Sequence, residues 1–411
     1  MLFIGSNKNF TLFFYFKHFI EIDFEKRRDL YSLFEGNLDP KGIINSLEII
    51  FGRILPGETL VFFDEIQACP RAIMALRYFY EEYPELHIIA AGSLLEFAFS
   101  EISVPVGRLS YLYLYPLTFY EYLLAVNKNE MAEEVLLPGK VANEFIQHTV
   151  LNELKSYFLV GGMPAAVNIW IETRSIAAVF EVQNEILTSF RDDFSKYKPG
   201  IDIHCLDAVF KQTASGAGEQ IIYTKLDPLF SGQTNRKAVE LLEKARIVSK
   251  ICASSPAGLP LYANTNEKKF KCFFLDIGLM QRLSGLQVPE NYFQSNLSGV
   301  YRGKLAEQFV AQELIAVSRN EVYYWSREAK SSTAEVDFLI TAGEEIIPIE
   351  VKSGKGGQLK SLHLLLKEYP HIKKGIVLYD GVYKELTEQK LCFMPFYFVS
   401  SLVKNHSKIK Q

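Results

Sequence analysis

The chain has 411 residues, 48% hydrophobic and 22% charged, enough for two or three globular cores and incompatible with a wholly disordered protein. A net charge of −4 and a pI near 6.1 give no overall footprint for nucleic acid, so any DNA contact has to come from a local basic face. Five scattered cysteines without a C-x-x-C pair argue against a disulfide framework or a cysteine zinc site and suit a reducing cytoplasm.

Met1 to Ile20 is rich in Phe, but Lys8, Lys17 and His18 break it into runs shorter than the roughly 20 apolar residues of a membrane span. It also lacks the basic start and small-residue cleavage site of a signal peptide, so no membrane is expected. Strands are expected at Phe19 to Phe24, Leu60 to Phe63 and His87 to Ser93. Between the last two, Ile73, Leu76, Tyr80 and Tyr83 recur at helical spacing behind Pro70. This alternation is βαβ grammar and predicts a parallel sheet. Tyr111-Leu-Tyr113-Leu-Tyr115 has period two and reads as strand packing. The polar stretch Asn127 to Glu134 then interrupts the pattern.

From Glu144 to Leu286 the pattern is mostly helical, broken at Gly161-Gly162-Met163-Pro164, with Ala178 to Tyr197 as one long amphipathic helix. Short helices at Leu206 to Thr213, Tyr223 to Leu226 and Thr234 to Ala245 precede an expected hairpin of Ile247 to Cys252 and Leu259 to Ala263. That order suggests a winged helix, with Arg236, Lys237, Lys244 and Arg246 either contacting phosphate or forming a solvated helix face. After Gly299 come a helix (Gly303 to Val317), strands at Val322 to Ser326, Glu335 to Ile340 and Ile346 to Lys352, and a helix from Leu359 to Glu368. Strands at Gly375 to Tyr379 and near Phe396 to Ser400 complete a mixed α/β region.

Two constellations could carry chemistry. The first is Thr59-Leu-Val-Phe-Phe-Asp64-Glu65, a buried strand ending in paired acids, where open α/β sheets keep their ligands. Ser93, at the end of the neighbouring strand, and Arg108, on a following loop, could reach a phosphate in the same site. A solvated acidic turn and an exposed loop arginine are the structural alternatives. Nucleotide hydrolysis also needs a G-x-x-x-x-G-K-S/T loop, because backbone N–H groups and a lysine must neutralise the phosphates. No segment of the chain has that pattern; Gly139-Lys140, Gly303-Lys304 and Gly354-Lys355 are followed by Val, Leu and Gly.

Glu21-Ile-Asp-Phe-Glu25, Leu33-Phe-Glu-Gly36-Asn-Leu-Asp-Pro40, Phe62-Phe-Asp64-Glu65-Ile-Gln67-Ala-Cys-Pro70, Ala90-Ala-Gly-Ser-Leu94 and Tyr115-Pro-Leu-Thr-Phe119 resemble prokaryotic AAA-type ATPases with a C-terminal domain of unknown function. The resemblance continues through Tyr157-Phe-Leu-Val-Gly-Gly162-Met-Pro164 and Phe274-Leu-Asp276-Ile-Gly278-Leu. It implies ATP and Mg²⁺ as cofactors, with Asp64 as metal ligand and Glu65 as catalytic base. Members begin with a strand, a phosphate loop and its helix, where this chain has the Phe-rich Met1 to Phe19. A late start, a frameshift or a decayed gene would each give that difference, and ATP affinity is expected to be largely lost.

The second constellation is Glu307, Asp337, Glu350 and Lys352. Residues i and i+2 share a strand face, so Glu350 and Lys352 project together and, with Asp337, could hold Mg²⁺ while Lys352 acts on water. Glu307 could complete the carboxylates, and Gln358 could add a polar contact. The order resembles the PD-(D/E)xK restriction-endonuclease-like core, which implies Glu307, Asp337, Glu350 and Lys352 as catalytic residues, with Asp337 and Glu350 on metal. An Asp337–Lys352 ion pair ordering the sheet, or a fold kept for DNA binding alone, are the other readings.

The expected architecture is α/β in three parts: a truncated P-loop ATPase sheet (1–140), a helical region with a winged helix (141–290), and a nuclease-like mixed α/β domain (291–411). The expected function is that of an AAA-type ATPase homologue associated with nucleic acid in the cytoplasm. A Mg²⁺-dependent nuclease and a non-catalytic DNA- or protein-interaction module are the alternatives, and a protein partner or homo-oligomer is open.

Overall fold

The computed structural model describes residues 15–92, 95–99, 107–138, 144–197, 201–285, 292, 300–318, 321–329, 332–352 and 359–402. The chain divides into two compact units, Met1–Leu114 and Tyr115–Gln411.

In the first unit, β1 (His18–Asp23), α1 (Pro40–Phe51), β2 (Thr59–Asp64), α2 (Pro70–Glu82) and β3 (His87–Ala90) alternate, and the short α3 (Leu95–Ala98) follows. The strands form a wholly parallel sheet in the order β1-β2-β3. The five residues Thr59 to Phe63 are all buried, as a central parallel strand covered on both faces must be. Phe24, Phe34 and Phe63 meet edge to face around this strand, and Ile22, Ile73 and Phe79 fill the same core. Asp39 caps α1 by accepting from Lys41 N and Gly42 N, and Pro residues open both α1 and α2. Tyr111 to Leu114, expected to pack as a strand, lies outside every strand and is exposed along its length.

The second unit starts with α4 (Phe119–Ala125), α5 (Asn129–Glu134), α6 (Glu144–Val160), α7 (Pro164–Thr173) and α8 (Ile176–Tyr197). Next come α9 (Ile203–Ser215), α10 (Tyr223–Leu226), α11 (Gly232–Lys244), β4 (Val248–Ser254), β5 (Thr265–Phe274) and α12 (Ile277–Leu283). The final run is α13 (Val300–Ser318), β6 (Val322–Ala329), β7 (Ser332–Ala342), β8 (Glu345–Lys352), α14 (Lys360–Glu368), β9 (Gly375–Tyr379), β10 (Lys384–Leu386) and β11 (Leu391–Pro395). The protein is therefore mixed α/β, with a parallel N-terminal sheet, a helical middle and a mixed C-terminal sheet.

Among the described residues, eight strands form that last sheet, in the order β10-β11-β9-β8-β7-β6-β4-β5. β6, β7 and β8 are an antiparallel meander, β8 and β11 flank β9 in parallel, and the β4–β5 hairpin joins through the parallel pair Ala253 and Tyr324.

Two sequence expectations are corrected here. The second hairpin strand is Thr265–Phe274 rather than Leu259 to Ala263, which belongs to a Pro-bounded segment ending in a 3-10 turn at Leu261–Asn264. β5 instead alternates: Phe270 and Phe274 lie against Tyr223 and Phe210 of the helical middle, and Phe273 lies against Phe338 of β7. The C-terminal strand is Leu391–Pro395; Phe396–Phe398 is a 3-10 turn whose three aromatic side chains are all buried, which no two-faced strand beside solvent would allow.

The family-like segments of the second unit converge on Asp276. This fully buried carboxylate caps α12, accepting from Leu279 N at 3.0 Å and from Gly162 N at 2.6 Å. Leu117 N donates to Gly162 O at 2.7 Å, and Tyr157 Oη donates to Leu117 O at 2.6 Å. Gln312 Nε2, on α13, donates to Tyr157 Oη at 2.9 Å, and Gln312 Oε1 accepts from Ile277 N at 2.8 Å. These residues join the α6–α7 turn, α12, α13 and the segment before α4.

Candidate functional site

In the first unit, register pairs Asp23 with Asp64, so both carboxylates stand at the C-terminal edge of the sheet. The chain turns sharply at Glu65, which adopts the left-handed conformation at φ 50°. Asp64 Oδ1 accepts from Glu65 N at 3.2 Å, and Gln67 Nε2 donates to Glu65 Oε2. Burial raises the Glu65 carboxyl above its ordinary range, with Gln67 opposing the shift and Asp64 adding to it. Gly92 leaves room for Gln67, because a Cβ there would fall 1.9 Å from Gln67 Oε1. Asp23 is engaged by Lys26 at 2.7 Å.

The other residues expected at this site are placed differently. Arg108 Nε lies 3.0 Å from Glu81 Oε1, near the C-terminal end of α2. Eleven residues of helix separate Glu81 from Pro70, about 16 Å at 1.5 Å per residue, so Arg108 is not beside the acids. Ser93 lies outside the described residues.

The second constellation is brought together. Glu335 and Asp337 share a face of β7, Glu350 and Lys352 share a face of β8, and Glu307 comes from α13, which packs on the same sheet. Asp337 Oδ2 accepts from Val351 N at 2.8 Å, which ties it to the strand carrying Glu350. The alternative reading paired Asp337 with Lys352, but Lys352 lies 2.6 Å from Glu350. Glu350 is buried, and its Oε2 has no hydrogen-bond partner among the described residues. Gln358 lies outside the described residues.

Two members of the cluster were missed in the sequence, Lys271 and Glu335. Lys271 is 2% exposed, and its Nζ lies 2.6 Å from Glu335 Oε1 and 3.7 Å from Glu307 Oε2. It also lies 5.3 Å from the centre of the buried Tyr324 ring. The signal was the alternation of Lys269-Phe-Lys271-Cys-Phe273, which turns Lys271 to the same side as the buried Phe273.

Desolvation dominates the electrostatics. It pushes the Glu307 carboxyl up to about 8, with Asp337 adding and Lys271 opposing. It pushes Glu350 up to about 7, with Asp337 adding and Lys352 opposing. Asp337 is likewise raised by burial, against the Lys271 ammonium and the Val351 N–H. Burial disfavours charge on Lys271, but Glu307, Asp337 and Glu335 outweigh it and hold its proton above the ordinary lysine range. A Mg²⁺ ion needs carboxylate oxygens converging on one point. Among the described residues no three His, Cys, Asp or Glu side chains converge in that way. With a lysine ammonium between Glu335 and Glu307, the cluster as arranged does not fit the metal.

The basic residues of the middle region are partly committed: Arg236 Nε pairs with Glu240 at 2.7 Å, while Arg236 and Lys237 both face solvent on α11. Asn235 beside them is structural, donating to Tyr223 O and Asp227 O. No helix among the described residues is long and apolar enough to cross a membrane.

Three family models match parts of the chain. An AAA domain matches residues 7–123, a domain of unknown function (DUF8612) matches 151–290, and another (DUF4143) matches 302–398. The first supports an AAA-type ATPase-like protein. No curated protein matches the chain. Over 93% of its length it is similar to 81% of the crystal structure of protein VC1899 from Vibrio cholerae, at 9% identity and a TM-score of 0.20. Over 85% of its length it is similar to 91% of Can2 from Sulfobacillus thermosulfidooxidans, solved with cyclic tetra-adenylate, at 9% identity and a TM-score of 0.20. Likenesses this low carry no argument about this chain.

Proposed function

We propose, from the premise of an AAA-type ATPase-like protein, that this chain is a nucleic-acid-associated member of that class, and that the 411 residues given, which contain no phosphate loop, do not by themselves hold ATP. The observation that carries the reading is the acid pair Asp64 and Glu65 at the end of the central parallel strand, inside the region that matches an AAA domain. The pair suits a Mg²⁺ ligand and a base beside a nucleotide, while no segment of the given sequence supplies the G-x-x-x-x-G-K-S/T loop that neutralises the phosphates. Calorimetric titration with ATP and Mg²⁺ is expected to show no saturable binding by this chain. A chain extended at its N terminus by a strand, a G-x-x-x-x-G-K-S/T loop and a helix is expected to bind, and to lose that binding with Asp64→Asn. Tight binding by the unextended chain would sink the reading.

For the C-terminal region, DNA binding without cleavage is favoured over Mg²⁺-dependent hydrolysis, since among the described residues no three acids converge on one point and Lys271 pairs with Glu335 and Glu307. The three helices before the β4–β5 hairpin, with Arg236 and Lys237 exposed on the third, have the element order of a winged helix and suit a duplex partner. Supercoiled plasmid incubated with the protein and Mg²⁺ is expected to stay intact. Nicking that disappears in Asp337→Ala and Lys352→Ala would establish the nuclease instead. The scattered cysteines suit a reducing cytoplasm.

A further inference from the structure

The β4–β5 ladder loses its regular register where the hairpin joins the C-terminal sheet. Cys252 pairs with Phe270, but the next residue, Ala253, pairs with Asn266, so Glu267, Lys268 and Lys269 are looped out of the ladder. The run Thr265-Asn-Glu-Lys-Lys269 is polar on both faces, and such a strand specifies its register weakly. The β6–β7 ladder slips as well, between Tyr323 and Trp325, and among the described residues β4 meets β6 at Ala253 and Tyr324 alone. Bulges re-aim side chains and are over-represented beside active sites. Here the two irregularities flank a cavity of about 310 Å³ between the hairpin, β6 and the C-terminal end of α14, within the size range of small-molecule sites.

The lining offers three kinds of contact. Tyr369 supplies a ring, set edge to face against Trp325 with centroids 6.4 Å apart. Its hydroxyl lies 3.1 Å from Ser255 Oγ, and Asn264 and Asn266 add side-chain amides. Asn266 Oδ1 accepts from Lys268 N at 3.1 Å, which leaves its amide N–H groups as donors. Arg327 meets Glu368 through Nε at 3.1 Å, an end-on contact that leaves its two Nη groups for a further acceptor, and Lys269 adds a second cation to the lining. A planar base uses the ring and the amides, and phosphate oxygens use the guanidinium. A bare anion would use only the cations, and an apolar ligand only the ring.

We propose that this cavity binds a single nucleotide unit, its base against Tyr369 and the amides of Asn264 and Asn266 and its phosphate on Arg327 and Lys269. A free mononucleotide and an unpaired residue of a single strand carry the same chemistry. The proposal is independent of ATP binding by the first unit and of cleavage at Glu350.

The chain has two tryptophans, Trp170 and Trp325, so Trp170→Phe leaves Trp325 as the reporter in the cavity wall. Titration of the full Trp170→Phe chain with deoxyadenosine 5′-monophosphate is expected to change the Trp325 emission saturably. Deoxyadenosine and inorganic phosphate are each expected to bind at least about tenfold more weakly. Adding Arg327→Gln is expected to weaken mononucleotide binding at least about tenfold with little change in Tm, since a half-exposed ion pair contributes little to stability, and Arg327→Lys is expected to restore part of the loss. Should Arg327→Gln not fold, Asn264→Ala, at an exposed position, takes its place with the same expected loss. Competition by a single-stranded oligodeoxyadenylate at Trp325 would support the site with nucleic acid as the source; binding of the mononucleotide without such competition would support it with a free ligand. The proposal is overturned by the absence of both an emission change and calorimetric heat at millimolar mononucleotide, by inorganic phosphate binding as tightly as the mononucleotide, or by unchanged binding in the folded variant.

Discussion

Gly162→Ala is expected to destabilise the larger unit by about 3 kcal/mol or more. An added Cβ would fall 2.1 Å from Leu117 O and 2.8 Å from Leu117 N, and both obstacles are backbone rather than flexible side chain. Moving Leu117 away would break its 2.7 Å bond to Gly162 O and disturb the Tyr157 hydroxyl that holds its carbonyl. The two tryptophans of the chain, Trp170 in α7 and Trp325 in β6, both belong to this unit, so their fluorescence in urea reports its unfolding. A midpoint within experimental scatter of the wild type would mean that the turn accommodates the methyl and that the close approach is not structural.

Asp276→Ala should cost a similar amount, about 3–5 kcal/mol, for a different reason. The carboxylate accepts from Gly162 N at 2.6 Å and Leu279 N at 3.0 Å in a site with no water access, and Gln312 Nε2 lies 3.4 Å away. Truncation leaves these donors buried and unpaired, which costs more than the bonds themselves contribute. Asp276→Asn keeps one acceptor oxygen and is expected to fall between the wild type and Asp276→Ala. Combined with Gly162→Ala, the loss should be less than additive, because either change alone opens the same junction. Full additivity in the same urea experiment would show that the two residues act separately.

The elements that local pattern describes were legible in the sequence. The all-apolar run of β2 ending in Asp64, the helix behind Pro70 and the long helix before Tyr197 all follow from periodicity and capping within a few residues. The acids of the second cluster were legible too, since Asp337 and Glu350 sit on strands whose alternation is plain. Lys271 and Glu335 were not. Ending the hairpin at Ala263 hid β5, and without that strand nothing placed a lysine near acids far along the chain. The role of Asp276 was hidden for the same reason: an aspartate before a helix reads as a cap, whereas its bond to Gly162 spans a long stretch of sequence.

The amino-acid sequence by itself determined the class of most segments, the parallel grammar of the first unit and the identity of the candidate acids, because propensity and amphipathic period are local properties. Only the tertiary structure decided which charges share one desolvated site. Coulomb energy and burial depend on distance through the folded interior, and that distance is set by the sheet order that carries β5 to Glu307 and Glu335.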